Sequence, residues 1–293
     1  MDINNNLYTA IITPMDENGE IDYSSFEKLL RFQADSKCGI LILGSTGEAL
    51  ALSYEEQCKV VEFTCSLELD SPIMVGVGGY QLNQQIKWIN FCNNQKIDSF
   101  LLVTPLYAKP GTLGQTSWFR SLLDTAQKPC ILYNVPSRTG VNLSYDTLEN
   151  LKNHENLWAL KEASGDFERF ENYIKIAPNL KIYSGEDAIL PELVNYGAIG
   201  LISVIANIWP QQTKKYVQMS IDKTITNDVA KVWKQATAAC FEVANPIPVK
   251  VWLTYKEIIK SNTLRSPLIA DELNSIKNVK DADTLINTYN ETI

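Results

Sequence analysis

A single histidine, His154, occurs in the 293 residues of the chain, and its setting, Lys152-Asn153-His154-Glu155-Asn156, reads as a solvated polar loop. A histidine-based zinc site or a Ser-His-Asp triad would have to be built on it, so neither is expected. The six cysteines form no Cys-x-x-Cys pair and lie mostly in apolar runs, the pattern of buried free thiols in a reducing cytosol. Basic residues are the minority. Lys and Arg number 26 against 34 Asp and Glu, a net charge of −8 with no basic run, which argues against a nucleic-acid surface. Long apolar stretches are missing too. The longest uncharged segment, Leu193 to Thr213, is interrupted by Asn195, Gly197, Gly200, Asn207 and Pro210, so no membrane span is expected. The opening Met1-Asp2-Ile3-Asn4-Asn5-Asn6 has neither the basic nor the apolar part of a signal peptide, which suits a cytoplasmic protein. Phosphate-binding loops are lacking as well. Gly44-Ser45-Thr46-Gly47-Glu48 has neither the lysine nor the spacing of a P-loop. Gly76-Val77-Gly78-Gly79 fails the Gly-x-Gly-x-x-Gly pattern at Gln81.

What is present is ordinary globular composition, 45% hydrophobic and 20% charged, with short apolar runs alternating with longer amphipathic ones. Short apolar runs begin near Leu7, Gly39, Pro72, Ser99, Cys130, Leu157, Leu180 and Ala198. Several, such as Ile40-Leu41-Ile42-Leu43 and Phe100-Leu101-Leu102-Val103, are continuously apolar, as strands covered on both faces must be. Amphipathic segments lie between them. Ser53-Tyr54-Glu55-Glu56 reads as a capping box, Ser144 as a helix start, and Pro178 as the stop of a helix running from about Phe167. Eight βα units favour a closed (β/α)8 TIM barrel over an open sheet. After about Pro210 the pattern reads as helices only. The expected organisation is a barrel over residues 1–209 and a C-terminal helical extension over 210–293.

Parallel barrels carry their chemistry at the carboxyl ends of the strands. Lys161 closes the apolar run Leu157-Trp158-Ala159-Leu160. Pointing inward, it would be desolvated, its pKa would fall, and its amine would become a nucleophile toward carbonyls. Pointing outward, it would be a snorkelling lysine or a partner of Glu162. Gly44-Ser45-Thr46-Gly47-Glu48 is either a carboxylate cradle of hydroxyls and amides or a plain glycine-bounded turn. Tyr107 and Tyr133 are phenols near strand ends, suited to proton relay or to packing. Arg138, in a loop after Pro136, is either a fork for a carboxylate or a surface cation.

These residues carry a resemblance. Gly44–Glu48, Val103-Thr-Pro-Leu-Tyr-Ala-Lys-Pro110, Tyr133-Asn-Val-Pro-Ser-Arg-Thr-Gly140, Leu160-Lys-Glu-Ala-Ser-Gly-Asp166, Tyr183-Ser-Gly-Glu-Asp187, Gly200-Leu-Ile-Ser203 and Asn245-Pro-Ile-Pro-Val-Lys250 follow one another over nearly the whole chain. In that order they resemble the pyruvate-dependent class I aldolases, the family that includes dihydrodipicolinate synthases and N-acetylneuraminate lyases. Each motif is weak alone, and together they are specific. The resemblance implies that Lys161 forms a Schiff base with pyruvate, with no metal or organic cofactor. Tyr133, Ser45 and a Tyr107 contributed by a neighbouring subunit would form a proton relay. Thr46 and its loop would hold the pyruvate carboxylate, and Gly185 and Ile202 would line the site. The family has threonine where Ser45 stands. Arg138 follows the synthase pattern, which the neuraminate lyases lack, and would bind the carboxylate of L-aspartate 4-semialdehyde. The product would be 4-hydroxy-tetrahydrodipicolinate, the entry to the diaminopimelate route to lysine. The borrowed tyrosine implies a homo-oligomer, commonly a tetramer built as a dimer of tight dimers.

Two other functions stand beside this one: a sibling aldolase acting on sugar acids, and a non-catalytic barrel that only binds. Arg138 weighs against the first. The intact set Lys161, Tyr133 and Tyr107 weighs against the second. The resemblance also locates a lysine-feedback pocket, with Gln84 where an acidic residue would hold the lysine ammonium and with Tyr80, Tyr54, Gln57 and Leu106 around it. Gln84 supplies no counter-charge, so feedback by lysine is expected to be weak or absent.

Overall fold

The computed structural model describes residues 5–292. Met1 to Asn4, part of the stretch read against a signal peptide, lie outside the described residues, as does Ile293 at the end of the predicted extension. Eight strands among the described residues close into one parallel barrel in chain order. They are β1 (Leu7–Ala10), β2 (Gly39–Ile42), β3 (Ile73–Val77), β4 (Ser99–Val103), β5 (Cys130–Asn134), β6 (Leu157–Glu162), β7 (Lys181–Ser184) and β8 (Gly200–Ser203). The strand starts expected from the apolar runs hold to within two residues. β8 begins at Gly200 rather than Ala198, whose N–H is taken by Leu193 O at the end of the preceding helix.

Helices fill the intervals: α1 (Tyr23–Asp35), α2 (Tyr54–Ser66), α3 (Leu82–Asn93), α4 (Thr112–Thr125), α5 (Pro136–Thr139), α6 (Tyr145–Leu151), α7 (Phe167–Ile176), α8 (Leu190–Val194) and α9 (Pro210–Ile221). The local signals act as expected. Ser53 and Glu56 form both bonds of the capping box on α2, and Ser144 caps α6. Two apolar cores result. Between barrel and helices lies a large one, with Phe26, Val60, Phe100 and Phe119 fully buried. A smaller core fills the barrel itself, from Tyr8, Leu41, Met74, Ile131 and Tyr183 up to Tyr133 and Ile202. Glycine is required where strands crowd: a Cβ on Gly39 would lie 2.4 Å from the Tyr8 ring, and one on Gly76 would lie 2.1 Å from Leu43 O.

Two expectations about the C-terminal part change. α9 packs on β1, β8 and α8, the place of the last barrel helix, so a boundary at 209/210 falls ahead of the helix that completes the final βα unit. The extension proper is α10 (Asn227–Cys240), α11 (Ile247–Tyr255) and α12 (Lys277–Thr292). It is also not helical throughout. Residues 256–276 run irregularly, with one short 3-10 turn at Ala270–Glu272. Side chains anchor this segment in place of a helix ladder. Arg265 donates to Gly19 O at 2.9 Å and to Ala51 O at 3.2 Å, and its fork grips Glu56. That grip holds the Glu56 carboxyl below its usual 4.5, at about 2.

Candidate active site

Lys161 is the last but one residue of β6, and its register neighbours are Tyr133 on β5 and Tyr183 on β7. Strand alternation turns it into the barrel and turns Glu162 away. The lysine is 4% exposed, and its Nζ lies 4.3 Å from the Tyr133 ring centroid. Burial disfavours the ammonium most, and the Arg138 charge adds to that. Asp187 opposes it. The net effect lowers the amine from 10.5 to about 8. At pH 7 about a tenth of such amines are neutral, against roughly three in ten thousand at 10.5. Of the two readings of Lys161, the inward one holds.

The other residues expected at the site lie at or just past the carboxyl ends of their strands. Burial pushes the Tyr133 phenol well above its ordinary value. The Arg138 charge and the nearby Ser45 hydroxyl pull it back. Arg138 sits on α5, a single turn begun by Pro136 and ended by the left-handed Gly140. That turn is fixed from below by Asn134, which donates to Glu162 Oε2 at 2.8 Å and accepts from the Leu143 N–H at 2.8 Å. Gly185 has to be glycine: a Cβ there would lie 2.5 Å from Ala163 Cβ and 2.8 Å from Lys161 Cε.

A cavity of about 940 Å³ opens above these groups, and Ser45, Tyr107, Tyr133 and Arg138 stand on its walls. Lys161, Thr46, Gly185 and Ile202 are not on those walls. Lys161 packs against the Tyr133 ring, Ile202 shares the barrel core with Tyr133, and Thr46 is buried in its turn. Tyr107, by contrast, is 86% exposed, with φ +62 at the rim. Within the Gly44–Glu48 turn the amides of Gly47 and Glu48 close onto Gly44 O and Ser45 O. The amides of Ser45 and Thr46 have no acceptor among the described residues. With the Gly44 amide, which likewise has no acceptor among the described residues, they are the backbone donors this turn leaves open for an anion.

Two acidic residues for which the sequence suggested no role stand in the Tyr183–Asp187 motif. Glu186 and Asp187 follow β7 directly and both bear electrostatically on Lys161. Burial, reinforced by Asp187, raises Glu186 to about 7. Asp187 is fully buried and accepts from the Ser203 hydroxyl and from the Val204 N–H. Two adjacent carboxylates at a strand end were the available signal.

A second cavity, of about 910 Å³, shares Leu50, Gly76, Leu106 and Tyr107 with the first. It gathers Tyr54, Gln57, Tyr80, Gln84 and Leu106, the residues expected around a feedback pocket. No carboxylate is among its lining residues, and the Lys87 Nζ stands on its wall, 4.1 Å from the Tyr54 ring centroid.

Fold and site together define a class: (β/α)8-barrel enzymes with a buried amine at the mouth of the barrel. Comparison with known proteins narrows it. The sequence profile of the dihydrodipicolinate synthetase family matches residues 4–284, and the chain belongs to that family. It is 59% identical to the 4-hydroxy-tetrahydrodipicolinate synthase of Francisella tularensis subsp. novicida, across 99% of this chain and 98% of that one. Among solved structures, the chloride-inhibited dihydrodipicolinate synthase from Acinetobacter baumannii, complexed with pyruvate, superimposes with a TM-score of 0.91 at 31% identity, covering 97% of this chain and 99% of that one. A dihydrodipicolinate synthase variant described as the first monomeric one superimposes at 0.87 with 27% identity, covering 95% of each chain. Among the described residues no helix is long and apolar enough to cross a membrane.

The depressed Lys161 value sets a pH profile. The reactive form is the neutral amine, so adduct formation rises as pH climbs toward 8 and levels off above it. With pyruvate and cyanoborohydride, the labelling rate should increase roughly tenfold from pH 6 to 7 and change little beyond pH 9. A rate still rising through pH 10 would place the lysine in water.

Proposed function

We propose that this chain is a 4-hydroxy-tetrahydrodipicolinate synthase, a lyase that joins pyruvate to L-aspartate 4-semialdehyde through Lys161. The observation that carries the reading is the buried amine against Tyr133, beneath a cavity rimmed by Arg138. The neutral Lys161 amine adds to the ketone of pyruvate, and loss of water leaves a protonated imine. That imine is an electron sink, so the substrate methyl gives up a proton and becomes an enamine. The enamine carbon bonds to the aldehyde carbon of the semialdehyde, whose oxygen takes a proton. The amino group of the second substrate then replaces the lysine on the imine carbon, which frees Lys161 and closes the ring. The protonated imine formed on the lysine is the electron sink, and the reading calls for no metal or organic cofactor.

The other residues take roles from their positions. Tyr133 gives and takes the proton at the carbinol and imine stages, and Ser45 passes it on. Thr46, with the open Ser45 and Thr46 amides, holds the pyruvate carboxylate. Gly185 leaves room for the lysine stem, and Ile202 closes the apolar floor. Arg138 receives the carboxylate of the semialdehyde. Tyr107 completes the relay in the site of a neighbouring subunit. Its exposure, together with that of Leu50, Tyr80 and Leu113, supports an apolar surface that a second copy covers. The expected assembly is a homo-oligomer, a tetramer built as a dimer of tight dimers. Six unpaired thiols suit a reducing cytoplasm.

Pyruvate with borohydride should leave a three-carbon adduct on Lys161 and abolish turnover, and an adduct on another lysine would sink the mechanism. Arg138→Ala should keep that labelling but lose about two orders of magnitude in kcat/KM for the semialdehyde, the cost of a charge-assisted fork. Normal turnover by the variant would make Arg138 a surface residue only. Tyr107→Phe and Lys161→Ala proteins, each nearly inactive, should regain part of their activity when refolded together, because mixed dimers hold one site with both native residues. No recovery in verified mixed oligomers would put the relay within one chain. Millimolar L-lysine, with both substrates near KM, should leave the rate unchanged, since the second cavity offers an ammonium no carboxylate and a Lys87 charge. Saturable inhibition below 1 mM, on the order of the affinity a paired site gives, would overturn that expectation.

A further inference from the structure

The Gly44–Glu48 turn is held from outside the barrel. Glu48 ends it in a left-handed conformation, φ +54, which a non-glycine residue adopts only under constraint from its surroundings. Its side chain is buried, and its partners supply that constraint. Lys250 of α11 places its Nζ 2.5 Å from Glu48 Oε1, with the two side chains 0% and 2% exposed. The same ammonium donates to Thr263 O at 2.9 Å, and Glu48 Oε2 accepts from the Arg265 N–H at 2.9 Å. Two residues before Glu48, the Thr46 hydroxyl oxygen accepts from Asn245 Nδ2 at 2.9 Å, and both residues are buried. Thr13 adds one tie from within the barrel, donating to Gly47 O at 2.8 Å.

A buried ion pair is a poor source of stability, because apolar residues of the same volume do as well without the desolvation cost. What it supplies is a fixed geometry. The Asn245 bond supplies a direction. A hydroxyl has one proton to give, and an amide N–H pointed at its oxygen turns that proton elsewhere. With Asn245 donating, the Thr46 hydroxyl is left as a donor, the role an anionic ligand needs.

We propose that the C-terminal extension is a working part of the carboxylate site, with Asn245 orienting the Thr46 hydroxyl as a donor and the Lys250–Glu48 pair locking the turn that carries it. Asn245 and Lys250 are positioning residues: they act through Thr46 and its neighbouring amides. This rests on the pyruvate-binding role proposed above for Thr46.

A double-mutant cycle tests it. Asn245→Ala should raise the KM for pyruvate about tenfold, the worth of one hydrogen bond, with kcat changed less than about threefold and the KM for the semialdehyde steady. In a Thr46→Val background the same substitution should add less than about twofold, because its target is gone. Asn245→Ser, which also withdraws the amide donor, guards against a folding defect in the alanine variant. Melting curves report whether either variant is simply unstable. Lys250→Met should raise the same KM, and adding Glu48→Gln, which removes the orphaned charge, should recover the melting temperature without recovering the KM. Effects of Asn245→Ala and Thr46→Val that multiply independently would overturn the inference. So would a change confined to the semialdehyde KM, which would make Asn245 a contact of the second substrate. A native enzyme that takes no pyruvate adduct at Lys161 fails the proposed function and this inference together. A native enzyme that labels normally while the cycle is additive fails this inference alone.

Discussion

The Lys161 amine is kept from water inside a closed barrel, and the chemistry available at the mouth follows from that. A drop from 10.5 to about 8 corresponds to about 3 kcal/mol of lost preference for the charged form. The barrel core supplies it. Tyr133 covers one side of the amine, Ile202 and Ala163 belong to the same apolar layer, and Gly185 gives the stem its room. The balance is set on both sides. Asp187 favours the ammonium, and Arg138 opposes it. A deeper carboxylate partner would have returned the lysine to its ordinary, unreactive state.

Around that amine the site is divided by rigidity. Buried polar groups hold the parts that must stay put. Asn134 and Glu162 fix the turn that bears Arg138, and Lys250, Asn245 and Thr13 fix the turn that bears Thr46. The exposed parts, Tyr107 above all, stand at the rim beside a surface rich in apolar side chains. The extension is therefore more than an appendage to the barrel. Arg265 ties it to Gly19, Ala51 and Glu56, and Lys250 reaches the inside of a strand-end turn.

Much of this was legible in the sequence, because the signals are local. Continuous apolar runs specify strands buried on both faces, and eight of them in rhythm specify a closed barrel. The capping box at Ser53 and the cap at Ser144 are made of residues three apart, so they can be read without a fold. The strand-end rule puts Lys161, Ser45, Tyr133 and Arg138 among its candidates, and the resemblance chooses them. The rule also covers Glu186 and Asp187, which stand just past the end of β7. Where the reading failed, the cause was long range. α9 looks like the start of a tail until its packing on β1 is seen, and residues 256–276 look helical until Arg265 is found to anchor them on groups more than two hundred positions away.

The sequence by itself determined the fold class and the strand ends, since each depends on residues close together in the chain. Only the tertiary structure decided that the amine faces inward, that its charge balance involves Arg138 and Asp187, and that Glu48 meets Lys250 across two hundred residues. Burial and Coulomb interaction depend on distance in space, and chain closure brings together what the sequence keeps apart.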